Sequence, residues 1–409
     1  MTWRYNSGVH NPDERLITRD VALVMLATFC FMASNTLSSL LMAGFSESLG
    51  ASGAMMGLVA GMMSLVSLFC RPIAGNLSDR ASKRLLVGVG SVLYLVSSIW
   101  YATATSPVSL LLARMVNGVG FACCSVCLAT WMSLLLPIRH MGAGMGLYGT
   151  TNALAMALGP ATGIKMHQLI GYRHTFMISM VMAVLMMIAV LFIKNGGHPV
   201  ASRRDTAAAE SSLRPHHLSP RSVVEPRVVP LSLVFMLFAI PYFATQSFIV
   251  TYANTRHLAV EVSLFYPCYA IALLIMRIGF RDWFDRKSFR FFLVICSACM
   301  VASLLCLDLM TSDVLLLLSA VLMAAAYGVM SSVTQAQAVI IAGKARSGIA
   351  NATYYAGIDL GMSLGPVLGG LIYGGVPIAW FYPLFMITMP AAGLLYAATA
   401  GYVHGRARG

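Results

Sequence analysis

The chain has 409 residues, 58% hydrophobic and only 10% charged. Soluble globular chains carry roughly 25% charged residues, so a water-soluble particle of this size is excluded and lipid must solvate most of the surface. The formal charge of +13 falls in short clusters between apolar runs, the pattern of topology determinants rather than of a nucleic-acid surface.

The first twenty residues are polar. The apolar run after them is longer than the roughly 7–15 residues of a signal-peptide core, so it reads as a spanning helix. A span needs about 20 mostly apolar residues. Such runs are predicted at 21–43, 53–73, 85–104, 108–131, 144–166 and 174–193, and again at 230–252, 261–280, 290–309, 313–335, 348–373 and 378–402. The stretch between the two sets holds Arg203, Arg204, Arg214, Arg221 and Arg227 among Pro and Ser and reads as a polar linker. The predicted architecture is an all-α membrane protein of twelve helices. Residues 1–193 form one six-helix bundle, 194–229 the linker and 230–409 a second bundle. All Lys and Arg residues except Lys165, Arg173, Arg256 and the intramembrane Arg114 fall on one side. The positive-inside rule makes that side cytoplasmic, with both termini and the linker there, in a cell inner membrane.

The halves repeat at an offset of 206 residues. Arg71 falls on Arg277, Asp79 on Asp285, Arg80 on Arg286 and Arg84 on Arg290, while Tyr148 falls on Tyr354. Gly159-Pro160 falls on Gly365-Pro366, and Gly163 on Gly369. One offset serving motifs far apart in the chain implies a parallel duplication of six helices, a transporter design with the solute site between the halves.

The loop expected after the second span contains Arg71, Gly75, Asp79, Arg80, Lys83 and Arg84. Gly75 would let backbones approach, and Asp79 could pair with a cation or a helix N-terminus across the seam between halves. Gly75, Asp79, Arg80, Lys83 and Arg84, with Arg277, Asp285 and Arg286 of the second copy, are candidates for a conformational latch; a plain positively charged loop is the alternative. In the fourth span, Arg114 followed by Gly118 and Gly120 places a costly charge at membrane depth, where it faces a wet cavity, a partner or backbone carbonyls. In the fifth, Gly159, Pro160 and Gly163 supply close helix approach and a bend, echoed by Gly365, Pro366 and Gly369.

These runs resemble three signatures of the major facilitator superfamily: G-x-L-x-D-R-x-x-R/K-R/K after the second helix, R-x-x-x-G-x-G in the fourth and G-P-x-x-G in the fifth. The resemblance implies the twelve-helix fold of that family. It associates Arg114 with proton coupling, and the Gly-Pro run points to the drug or metabolite:proton antiporter branch. Two departures are visible: Ile164 replaces the last Gly of the fifth-helix signature, and the first helix has no acid, only Asn35 among hydroxyl residues.

Of the 14 acids, all but Asp359 fall in loops or near the ends of predicted spans, and Asp359 lies well inside one. A lone intramembrane carboxylate is a functional candidate by default, so Asp359 is expected to carry the proton and to share a cavity with Arg114, the only cation expected at depth. Asp79 and Glu261 are next in line. Asn35, Trp131, Asn152, Tyr242, Gln246, Tyr327, Gln335 and Tyr354 are candidate cavity residues, since polar groups at lipid depth turn inward; helix–helix bonding explains each equally well. The nine cysteines, Cys123, Cys124 and Cys127 included, read as small apolar residues rather than metal ligands. No nucleotide loop or catalytic constellation is present, so neither enzyme activity nor a cofactor is expected. The expected partners are a small-molecule substrate, protons and the lipid bilayer, with the chain a monomer. The leading functional expectation is proton-coupled export of a small organic molecule. The alternative is proton-coupled uptake of a small nutrient such as an organic acid or sugar.

Overall fold

The computed structural model describes residues 17–136, 141–196, 224–279, 287–342 and 347–404. Among them every regular element is helical: α1 (Arg19–Ser48), α2 (Gly53–Arg80), α3 (Lys83–Thr103), α4 (Pro107–Leu135), α5 (Met141–Phe192), α6 (Val229–Thr255), α7 (Phe265–Gly279), α8 (Phe289–Asp308), α9 (Asp313–Met323), α10 (Val329–Ala342), α11 (Ser347–Gly375), α12 (Phe381–Met386) and α13 (Thr388–His404). Among the described residues, ten helical stretches are long and apolar enough to cross a membrane, and Val262–Met276 is a shorter apolar helix. The protein is therefore an all-α, multi-span membrane protein.

Starts and breaks follow local chemistry. The hydroxyls of Thr18, Ser52, Ser82, Ser106 and Ser288 each accept a hydrogen bond from the backbone N–H three residues on, satisfying one of the donors every helix start leaves open. Inside α5, Gly171 has φ 77° and ψ 173°, a backbone only glycine adopts without strain, and two helices meet there. Between α9 and α10 a π-helical turn spans Ala324–Gly328. One predicted loop is helix instead: α2 continues through Pro72 to Arg80. The first turns of the motif are thus presented along a helix face.

Hydrogen bonds place the ends. Asp20 accepts from the amides of Lys194 and Asn195, and the Arg84 amide donates to Gly196 O. The starts of α1 and α3 and the end of α5 therefore share one face, here called the linker side. On the opposite side the two halves of the chain are joined. Lys165 Nζ lies 2.5 Å from Glu261 Oε2, and the Tyr373 hydroxyl donates to Glu47 Oε1 at 2.7 Å.

The tightest contact across the halves is α2 on α11. A Cβ added to Gly53 would lie 2.6 Å from Gly370 O and from the Gly374 backbone, and one on Gly61 would lie 2.5 Å from Ser363 O. One on Gly57 would collide with Pro366 O. Glycines four apart on both helices bring the backbones together. Within the halves, Gly159 and Gly163 pack on Ala33, Thr36 and Leu37 of α1, while Gly361, Gly365 and Gly369 pack on Ala239, Ile240, Phe243 and Phe248 of α6. Lipid-facing surfaces carry exposed Val89, Val92, Val96 and Ile99 on α3 and Leu191 and Phe192 on α5.

Candidate functional site

Where α1, α2, α4, α5, α6 and α11 converge lies a cavity of about 90 Å³, whose polar lining is Asn35, Thr36, Ser39, Ser64, Arg114, Tyr242, Gln246 and Ser247. Arg114 is buried. Its Nε donates to Val59 O at 3.2 Å and its Nη2 to Ala60 O at 2.9 Å, while Nη1 donates to the Ser39 hydroxyl at 3.2 Å. A guanidinium at membrane depth is tolerable because fixed carbonyl dipoles replace its hydration. Gly118, one turn on, lets α4 approach α2; a Cβ there would lie 2.6 Å from Met63 O. Asn35 accepts from the Tyr94 hydroxyl at 3.2 Å. Gln246 donates to the Tyr242 hydroxyl at 2.7 Å, and the Tyr242 ring stacks on Tyr327 with centroids 3.9 Å apart.

A larger cavity, about 530 Å³, lies between α2, α6 and α11 on the linker side, and a charged pair that bridges α2 and α11 lies in its wall. Arg71 Nε of α2 lies 2.8 Å from Asp359 Oδ2 of α11, with the carboxylate side chain 3% exposed and the guanidinium 26%. The angle lies outside hydrogen-bond geometry, so the contact is a close charge pair. The Phe121 ring lies 5.7 Å from the Arg71 guanidinium carbon, a cation–π arrangement. Asp359 thus pairs with Arg71, not with the expected Arg114, which is held by α2 carbonyls. The reason is the extension of α2: Arg71 sits in a helix nine residues before its end, facing α11, rather than in a loop.

A family profile described as Major Facilitator Superfamily matches residues 24–313. The chain belongs to the major facilitator superfamily. It is a membrane transporter, not an enzyme. Among relatives, an uncharacterized MFS-type transporter of Methanocaldococcus jannaschii is 20% identical over 390 residues, covering 93% of this chain and 97% of that one. The quinolone resistance protein NorA of Staphylococcus aureus is 22% identical over 199 residues, about half of each chain (48% and 50%). Among solved structures, a POT family transporter in complex with a thioalcohol-conjugated peptide superposes with TM-score 0.75 at 12% identity, covering 94% of this chain and 97% of that one; this likeness is one of fold.

Within this major facilitator fold, four sequence candidates, Asn35, Arg114, Tyr242 and Gln246, line one cavity. The others lie elsewhere. Trp131 is fully buried in a core cluster and donates to Asn195 O at 3.0 Å. Asn152 donates to Tyr148 O. Tyr327 stacks on Phe235 as well as Tyr242. Gln335 bonds Asn351 and Tyr355, and the Tyr354 hydroxyl bonds Ser331. Apart from Asn152, whose bond stays within α5, these residues brace contacts between segments, the other role polar groups take at lipid depth.

Of the latch candidates, Lys83 is buried and its Nζ donates to Ser78 O, while Arg84 Nη2 reaches Leu191 O at 3.5 Å. Gly75 does not serve close backbone approach, since a Cβ there meets nothing within 4 Å. It lines the linker-side cavity instead. The side chains of Asp79, Arg80 and Arg277, and the whole of Asp285 and Arg286, lie outside the described residues. In the sequence Arg71 is marked only as a charge at the end of an apolar run, and the Gly53, Gly57, Gly61 series is signalled only by its four-residue spacing.

Proposed function

We propose that this chain is a proton-coupled secondary transporter of a small organic solute, working by alternating access, with uptake as its direction. The reading assumes twelve passages in two six-helix bundles: the helices meeting at Gly171 count as two, and the short Val262–Met276 helix as one. The linker and both termini are placed in the cytoplasm, and the functional unit is a monomer. The observation that carries the proposal is the Arg71–Asp359 pair, buried at the seam between the solute cavity and the linker side, while glycine contacts hold the opposite ends of α2 and α11 together. Ionised Asp359 neutralises Arg71 and ties α2 to α11. A proton on Asp359 removes that attraction and leaves Arg71 a lone cation, altering the balance between conformations. Solute and proton would enter together from the far side. They would leave through the linker-side cavity, where loss of the proton re-forms the pair.

Export by proton antiport is the second reading. It is favoured by Gly159-Pro160 and by the similarity of half the chain to a quinolone resistance protein. Cells overexpressing the chain, given labelled organic acids, sugars and quinolones with and without a protonophore, separate the two. Uptake predicts accumulation of one class, lost with the protonophore. Export predicts reduced accumulation that the protonophore restores. No protonophore-sensitive change with any class rejects proton coupling.

A further inference from the structure

The polar atoms around the central cavity are unequal in kind. Arg114 is the one charged residue among those lining it. Three of its five N–H groups are engaged, two by carbonyls and one by Ser39, which leaves two. The Tyr101 hydroxyl sits beside the guanidinium without a bond of acceptable geometry. Ser39 accepts from Arg114, so its own hydroxyl proton is available to donate. Asn35 spends its carbonyl oxygen on Tyr94, leaving the Nδ2 hydrogens to the cavity. Ser64, also buried, adds a further hydroxyl. The acceptors on the walls are all neutral: the Gln246 amide oxygen and the hydroxyl oxygens of Thr36, Ser39, Ser64 and Ser247. Asp359 lies one turn from Met362 of the cavity wall, but its charge is spent on Arg71.

We infer that the central cavity takes a small organic anion, with a carboxylate-like group received by Arg114 and Asn35. This rests on the transport reading and narrows its solute. A buried guanidinium with no carboxylate paired to it among the described residues is an electrostatic well for an anion, and charge-assisted hydrogen bonds to a carboxylate are roughly twice as strong as neutral ones. A cation would meet a like charge and no carboxylate. A neutral polyol could bond the wall hydroxyls but would supply no charge to balance the guanidinium. The site is also small, which fits a carboxylate of few carbons.

The test is binding to the purified full chain, without any gradient, using size-matched trios: propionate, propionamide and propylammonium, then benzoate, benzamide and benzylammonium. The readout is thermal unfolding against ligand concentration. The expected result is stabilisation by at least one carboxylate and none by its amide or ammonium partner. Arg114→Gln should weaken that carboxylate about tenfold or more. Because Arg114 also holds α2, Asn35→Asp serves as a second variant. It keeps the acceptor for Tyr94 and adds a negative charge, so the preference should shift from carboxylate to ammonium. Equal or stronger stabilisation by amide or ammonium in the unaltered chain overturns the inference, as does no shift with either trio. If a carboxylate binds selectively yet no gradient drives its transport, the coupling proposal fails and the anion site stands.

Discussion

Asp359 and Arg71 are separated by 288 positions in the chain and by 2.8 Å in space. Burying one charge without the other is expensive, and breaking such a pair by removing one partner typically costs about 3–5 kcal/mol. Arg71→Gln is therefore expected to lower stability and abolish transport, because it strands a buried carboxylate. The exchanged pair, Arg71→Asp with Asp359→Arg, should recover expression and part of the solute binding. If the single and exchanged variants are equally impaired, the pairing does not matter. Asp359→Asn keeps size but cannot titrate. It is expected to abolish gradient-driven accumulation while solute exchange across equal concentrations continues, and Asp359→Glu should retain part of the activity with a shifted pH optimum. Concentrative, protonophore-sensitive transport by Asp359→Asn would move the coupling acid elsewhere. These two residues also show what the sequence reading could see. Asp359 was legible as a lone acid inside an apolar run. Its partner was not, because Pro72 and the following charges made Arg71 look like the start of a loop, although proline next to it bends α2 without ending it.

The helices meet through glycine, and not all glycines are alike. Gly57 presses on the backbone of α11, so any side chain there must push the helices apart; Gly75 has open space. Gly57→Leu is expected to prevent the α2–α11 contact and abolish transport, with Gly57→Ala intermediate, whereas Gly75→Ala should transport within about twofold of the unaltered chain if packing alone decides. Loss of transport with Gly75→Ala but not with Gly57→Leu would contradict the contact as described. A second clasp on the same side is ionic. The Lys165 hydrogen bond, aided by Ser263, holds Glu261 below the usual carboxylate range. A folded value below the unfolded one means the pair's contribution is complete above the unfolded pKa, about 4.3, and is lost as pH falls through the lower folded value. Lys165 is half exposed, so the contribution is at most about 1 kcal/mol. Thermal unfolding should show a small extra loss in the unaltered chain below about pH 4 that Glu261→Gln lacks; identical pH profiles would show the pair contributes nothing.

For the whole molecule, sidedness is the first thing to measure. A cysteine at Ser202 in the linker is expected to react only with reagent from the cytoplasm. On the opposite side Ser48, at the exposed end of α1, is the suitable position, since neighbouring Ser46 is fully buried. Labelling from the reverse sides would invert the orientation and with it the direction of the proposed cycle. The sequence by itself determined that lipid is the solvent, where the apolar runs lie, that the halves repeat and which family the chain belongs to, because composition, run length and local motif spacing are properties of neighbouring residues. Only the tertiary structure decided that Arg71 rather than Arg114 meets Asp359, that Arg114 is held by carbonyls of α2, and that Asn35, Tyr242 and Gln246 share a cavity while Trp131, Gln335 and Tyr354 brace helices. The physical reason is rotational. A polar residue in an apolar helix is certain to turn away from lipid, but which neighbour it then meets depends on how each helix is rotated and how closely its glycines let it approach. Those quantities are set by contacts between segments hundreds of residues apart.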